Sequence, residues 1–286
     1  MAVKVGVQLY SVRDEMMKDP IKTIERVAEA GYKYLEAANH NALEDFGVGF
    51  GVDAKTLKRV LDEYGSGIVS AHIFPFTSDN TKELIEYNHI LGNHYIVYPM
   101  DFYSDYDTVQ RKIEMMNQVG KTFKAEGISL LYHNHFHEFQ KFNGKTVFQM
   151  IYENTDPDYV GFELDTFWSM RGGQKPLEVM DYLGSRLKLV HQKDYVPVEG
   201  FATNIFERLG YNAKIDMDVF NTGYDPKEFT EIGTGTMDIQ AIINKANAMG
   251  SVDYIILEQD YSCYPQLESI HMSMDSFKKF EGISWE

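Results

Sequence analysis

Eight short apolar runs alternate with amphipathic stretches along the whole chain, and this alternation limits the fold more than any other feature of the sequence. The runs fall at 4–9, 34–37, 68–72, 95–98, 128–132, 160–164, 187–191 and 254–258. Helix-like segments follow at 20–30, 53–64, 82–91, 108–126, 146–153, 176–182, 238–249 and 266–280. Asp19 before Pro20, and Asp53 before an apolar-periodic run, are good helix starts, because a short acidic side chain accepts from the free amides of the first turn. Gly31, Gly127 and Gly250 stand where helices should stop. Eight β-α units in 286 residues predict a single-domain (β/α)8 TIM barrel over residues 1–286. A doubly wound open sheet is the alternative, but it would place a Gly-rich phosphate turn after the first strand, and Leu9-Tyr10-Ser11 carries none. The seventh unit contains a long insertion, about 197–232, without clear periodicity and rich in Asn, Asp, Gly and aromatics. Following a strand, it belongs to the catalytic face. Its Phe201, Phe206, Tyr211 and Phe220 are expected to pack inward, over the barrel mouth or against a neighbouring subunit of a homo-oligomer.

The chain carries 27 Lys and Arg against 43 Asp and Glu, a net charge of -16. Its longest basic runs are pairs such as Lys58-Arg59, Arg111-Lys112 and Lys278-Lys279, so neither nucleic acid nor an anionic membrane is expected as a partner. No apolar run approaches the roughly 20 residues a bilayer span needs. The opening residues alternate like a strand and lack the apolar core of a signal peptide. The single cysteine, Cys263, excludes an internal disulfide framework and a cysteine-cluster metal site. A soluble cytoplasmic protein is the expectation. The 14% aromatic content suits either a pocket for a small carbohydrate or an aromatic-rich core.

In a parallel barrel the active site is built at the carboxyl ends of the strands. Here strand five ends in His133-Asn134-His135, strand six in Asp165, strand seven in His191 and strand eight in Glu258, while strands two and three end near Glu36 and His72. Taken singly, a histidine there is ordinarily a hydrogen-bonded structural group, and an aspartate is often a helix cap. Four successive strands delivering an imidazole or a carboxylate to one ring point instead to one divalent metal ion held by His133, Asp165, His191 and Glu258. Two imidazoles and two carboxylates suit Mn²⁺, Co²⁺ or Zn²⁺ better than Mg²⁺, which prefers an all-oxygen shell. His135 is then placed for substrate or for support of the ligands, and Glu138 is the substitute ligand on strand five.

At these residues the chain resembles the xylose isomerase-like barrel superfamily, and within it the sugar phosphate isomerase/epimerase group, which includes inosose dehydratases and ketose 3-epimerases. The resemblance runs from Val5-Gly6-Val7-Gln8-Leu9-Tyr10-Ser11-Val12-Arg13 to Glu258-Gln259-Asp260. It includes Tyr132-His133-Asn134-His135, Leu164-Asp165-Thr166-Phe167-Trp168, His191-Gln192-Lys193-Asp194 and Gly233-Thr234-Gly235. It implies metal ligands Glu, Asp, His and Glu on strands five to eight. Asp165, His191 and Glu258 match, and His133 stands in place of the first glutamate. Trp168 stands where the epimerases carry a substrate-binding histidine.

The implied activity is that of a metal-dependent sugar isomerase or epimerase working through an enediolate, with Glu258 as the principal base. The alternative is a lyase or dehydratase acting on a keto-sugar or inosose. A non-catalytic carbohydrate-binding barrel and a nuclease are weaker readings. The former would be expected to lose the ligand set, and the latter needs a basic groove. His72, His135, Lys193 and Glu36 are the candidates for proton relay or hydroxyl recognition. Arg171, beside Gly172-Gly173, is the candidate for contact with an anionic substrate group, although the absence of an Arg cluster favours an unphosphorylated substrate.

Overall fold

The computed structural model describes residues 2–77 and 80–285. Eight parallel strands form a closed barrel: β1 (Val3–Gln8), β2 (Tyr34–Asn39), β3 (Gly67–Ile73), β4 (Tyr95–Tyr98), β5 (Ser129–His133), β6 (Val160–Asp165), β7 (Leu187–Gln192) and β8 (Tyr254–Leu257). β8 pairs back onto β1, with Lys4 beside Tyr254 and Val7 beside Leu257, so the sheet has no free edge there. Each predicted apolar run became a strand, and the eight predicted helices lie at Pro20–Glu29, Ala54–Glu63, Thr81–Leu91, Tyr106–Ala125, Val147–Asn154, Pro176–Leu183, Ile239–Met249 and Gln266–Phe277. The caps act as their chemistry requires: Asp19 and Asp53 accept from the amides of Lys22 and Thr56, each at 3.0 Å. Gly127 and Gly250 take positive φ, 75° and 67°, where their helices stop.

Residues of one parity on each strand face the helices and those of the other face the barrel axis. Leu130, Phe162, Leu164, Val190 and Ile255 join the main core beneath the helices. Val97, Leu131 and Leu189 form a separate small cluster of opposite parity. Leu131 and Leu189 stand two residues before His133 and His191 on the same strands. The axis is therefore apolar at this level and polar one step further toward the carboxyl ends.

Several elements are too short to show a period in the sequence. A helix at Arg13–Lys18 follows β1, and another at Thr166–Arg171 follows β6 directly. The insertion, read as aperiodic, contains helices Phe206–Leu209 and Met217–Asn221. It is closed at its base by an antiparallel pair, Asp194 with Thr230 and Tyr195 with Phe229. The Asp194 carboxylate accepts from the amides of Gly233 and Gly235, both at 2.9 Å, and of Met237 at 3.1 Å. A Cβ at residue 235 would lie 2.3 Å from Asp194 Oδ1, so the turn requires glycine.

A candidate metal centre at the barrel mouth

The carboxyl ends of β5 to β8 bring His133, Asp165, His191 and Glu258 together, one ligand atom from each lying within 4.8 Å of all the others. Register explains the meeting. Asp165 pairs with His191 across β6 and β7, His191 with Ile256 across β7 and β8, and the Glu258 amide donates to the Gln192 carbonyl at 3.2 Å. The Glu258 side chain is 9% exposed and those of Asp165 and His191 are fully buried, so Glu258 is the member that meets solvent.

Asp165 is a helix cap, as an aspartate after a strand often is, and its second oxygen is turned to a lysine. Its Oδ1 accepts from the Trp168 amide at 2.7 Å and caps the helix Thr166–Arg171, while Oδ2 accepts from Lys193 Nζ at 2.7 Å. Lys193 Nζ also donates to Glu258 Oε2 and lies 3.6 Å from Asp260 Oδ2. Burial alone would push this ammonium down, but Asp165, Asp260 and Glu258 outweigh it and hold its pKa well above the ordinary value. Burial likewise opposes ionisation of Glu258, yet Lys193 and His191 prevail and hold it well below the carboxylate range. Asp260 is pushed up to about 7 by burial, with Lys193 opposing and the neighbouring Glu258 reinforcing the rise.

Beneath this rim lies a second polar layer. His72 Nε2 is 2.6 Å from Glu163 Oε2 and 3.2 Å from Glu36 Oε1. His133 Nδ1 is 3.0 Å from Glu163 Oε2. His191 Nε2 is 2.5 Å from Glu36 Oε1 and 3.3 Å from Glu163 Oε2. Gln8 Nε2 donates to Glu36 Oε1 at 2.8 Å. Burial raises both carboxyls, but His72 and His191 overcome it for Glu36 and bring its pKa to about 2. Glu163 is held well above its usual range by burial and by the charge on Glu36. The two neighbouring buried carboxyls are thus pushed in opposite directions. Burial brings His72 down to about 4 and, with the His191 and His72 imidazoles, holds His133 well below its usual value.

The other expected site residues have distinct places. His135 lies against His133, Trp168 and Phe220, at ring separations of 5.0, 5.6 and 5.5 Å, and its Nδ1 has no hydrogen-bond partner among the described residues. Trp168 is buried between His135 and Tyr224 of the insertion. Phe220 stacks on Phe136 at 5.1 Å and Phe206 on Tyr211 at 4.6 Å, while Phe201 is half-buried. Glu138, the substitute ligand, is committed elsewhere: it accepts from the Tyr132 hydroxyl at 2.8 Å and from the His135 amide at 2.9 Å. Arg171 corrects its expectation. Its guanidinium is fully buried on Glu228, at 2.6 and 2.9 Å, and donates to the Tyr195 hydroxyl at 3.2 Å, so it fastens the base of the insertion. Glu163, Gln8 and Asp260 went unassigned in the sequence reading. The signal for Glu163 was present, since it shares parity with Asp165 two residues later on the same strand.

Two carboxylates and two imidazoles, His133 hydrogen-bonded through Nδ1 and His191 through both nitrogens, are donor types that fit a borderline divalent cation, and His72, His133, Glu163 and His191 form a second such group one layer deeper. The family model of the xylose isomerase-like TIM barrel matches residues 24–280, and the chain belongs to that family. It is similar to the inosose dehydratase of Geobacillus kaustophilus strain HTA426, 26% identical over 265 residues, covering 84% of this chain and 79% of that enzyme. It is also similar to the inosose dehydratase of Mesomycoplasma hyopneumoniae strain 7448, 28% identical over 195 residues and 60% of this chain, but the match spans only 61% of that protein's length. The solved sugar phosphate isomerase/epimerase from Parabacteroides distasonis ATCC 8503 superposes with a TM-score of 0.75 at 26% identity, covering 99% of this chain and 96% of that one. Among the described residues no helix is long and apolar enough to cross a membrane.

Proposed function

We propose that the chain is a divalent-metal-dependent sugar isomerase or epimerase that moves the proton next to a carbonyl in a small, unphosphorylated carbohydrate through an enediolate. The observation that carries this reading is the convergence of His133, Asp165, His191 and Glu258 at the open end of the barrel. These four residues would hold the ion, with Mn²⁺, Co²⁺ or Zn²⁺ preferred over Mg²⁺ for a nitrogen-containing set. The chemistry supplied by a bound divalent ion is Lewis acidity, which lowers the pKa of a C–H beside a carbonyl.

The remaining work falls to side chains of this protein. Glu258, the rim carboxylate that meets solvent, takes the α proton, because a ligating carboxylate keeps a second oxygen with free lone pairs. His135, whose Nδ1 is unpartnered, is the second proton-handling group. Lys193 offers N–H donors to substrate oxygens from between Asp165 and Glu258. Trp168 and the insertion's Phe220 supply an apolar wall. The curated relatives are named as inosose dehydratases and the solved neighbour as a sugar phosphate isomerase/epimerase.

A second reading, dehydration of a keto-sugar or inosose, is favoured by one observation: the Lys193 ammonium lies directly beside Glu258, where its N–H can hydrogen-bond and stabilise a departing hydroxide as the base takes the proton. Metal analysis of the purified protein, followed by proton NMR of keto-sugars and inososes in D₂O, tests both. Deuterium uptake with the carbon skeleton and all oxygens retained supports isomerisation or epimerisation. Loss of water supports dehydration. A metal-free protein that exchanges no proton defeats both.

A further inference from the structure

The cations around the barrel mouth are neutralised unequally. Lys193 is met by Asp165, Glu258 and Asp260, and Arg171 by Glu228. Arg13, at the start of the helix that follows β1, is half-buried, and among the described residues its guanidinium meets no carboxylate. It donates from Nη1 to the Tyr10 carbonyl at 3.0 Å and from Nη2 to the Asp260 carbonyl at 2.7 Å. The guanidinium carbon lies 4.2 Å from the centre of the Tyr10 ring and 5.9 Å from that of Tyr261. The place is the catalytic face: Tyr10 stands two residues past β1, Asp260 two residues past Glu258, and the Tyr261 hydroxyl is 3.2 Å from that of Tyr224 in the insertion. We propose that Arg13, set between Tyr10 and Tyr261, is a carboxylate-binding subsite of the mouth, and that the substrate is an acidic sugar of the uronate type.

The unequal matching carries the assignment. A half-buried charge without a counterion gives up part of its hydration, and neutral carbonyls offset that only in part. The two carbonyls use two of the five N–H donors of the guanidinium, and the rest of its planar fork suits an oxyanion held through paired bonds. Packing against the Tyr10 ring fixes the side chain beforehand, so little of its freedom is lost when a ligand binds. Tyr261, 38% exposed, offers a ring face and a hydroxyl beside the fork. The neighbourhood favours carboxylate over phosphate, because Glu258 and Asp260 follow β8 on the segment that Arg13 grips and repel a dianion more strongly than a single charge. Arg13 thus takes the part that Arg171, committed to Glu228, does not.

This inference rests on the reading of the mouth as a carbohydrate site, and calorimetric titration of the protein with hexuronates, the matching neutral hexoses and their 6-phosphates separates the two. In the wild type at least one uronate should bind about 10–100-fold more tightly than its neutral counterpart, the span expected of hydrogen bonds to a charged group. Arg13→Gln should bring the two affinities together, and Arg13→Lys, a point charge without the fork, should keep a small part of the difference. Raising sodium chloride from about 0.02 to about 0.5 M should weaken uronate binding to the wild type and not that of the hexose. This salt measurement needs no variant, so it holds even if the Arg13 replacements fail to fold. Uronates bound no better than hexoses, uronate binding indifferent to salt, or a preference that survives Arg13→Gln each overturn the subsite and leave the carbohydrate reading standing. A preference for the 6-phosphates that is lost in Arg13→Gln overturns the carboxylate assignment. A wild type that binds no sugar and exchanges no sugar proton in D₂O overturns the reading and the inference together.

Discussion

Glu163 and Asp165 stand two residues apart on β6, share a face of the strand and are both fully buried, yet their surroundings divide them. Asp165 meets a lysine ammonium and a helix amide; Glu163 meets imidazole nitrogens and another carboxyl. One step along the strand, about 7 Å for two residues, therefore changes a carboxylate partnered by a lysine and a helix amide into one partnered by imidazoles and a second carboxyl. The same division separates Glu258, which meets solvent, from Glu36, which does not. Depth in the barrel, with the identity of the nearest cation, sorts four acidic residues into two pairs.

The sharpest way to break this division is to neutralise one carboxylate at the rim. Glu258→Gln should lower solvent deuterium exchange at the α carbon by about 10²–10⁴-fold while metal analysis still finds an ion, because the amide oxygen coordinates weakly. Exchange at the wild-type rate with matched metal content would move the base to His135 or Lys193.

Next in size is the anchor of the insertion. Arg171→Leu leaves Glu228 buried without its partner and should cost about 3–5 kcal/mol in urea unfolding. Adding Glu228→Leu should recover much of that loss, because no buried charge then remains. A double variant as unstable as the single one would show that the pair does more than fasten the segment.

Smaller again is the effect of chelation. With zinc or manganese at about 100 times its dissociation constant, removal by EDTA should cost about 2.7 kcal/mol of stability. The loss should vanish in Asp165→Asn and persist, reduced, in Glu163→Gln. Loss of the effect in both variants would erase the distinction between the layers.

Smallest is the difference between two replacements of Asp165. Asparagine keeps the helix cap and alanine does not, so Asp165→Ala should be about 1 kcal/mol less stable than Asp165→Asn by thermal unfolding, with both lacking metal. Equal stability would mean that the cap contributes nothing.

The barrel and its rim were legible in the sequence for one reason: both follow from strand period and strand ends. Runs of apolar residues mark the strands, and His133, Asp165, His191 and Glu258 stand at or just past their carboxyl ends. The inner layer was legible in principle through parity, since Glu163 lies between Leu164 and Phe162 with its side chain necessarily on the opposite face. It was overlooked because a glutamate inside an apolar strand carries no local mark of its partners, which come from β2, β3, β5 and β7. Arg171 failed for a similar reason. Glycines beside an arginine suggest an anion site, but its true partner, Glu228, lies 57 residues away within a segment whose helices are too short to show a period.

The two oxygens of Asp165 join the rim to the helix that follows β6, one accepting from Lys193 and the other from the Trp168 amide. The helix Thr166–Arg171 begins at this carboxylate, carries Trp168 into the aromatic wall and ends at Arg171, which grips the insertion through Glu228. If an ion binds Asp165, occupancy at the rim, winding of this single turn and a half of helix, and docking of the insertion would be linked equilibria, each favouring the others by the same free energy in both directions. A ligand that steadies the Asp165 rotamer would then slow amide exchange in the insertion without touching it, and a mutation that loosens the insertion would weaken ligand affinity at a carboxylate it never contacts.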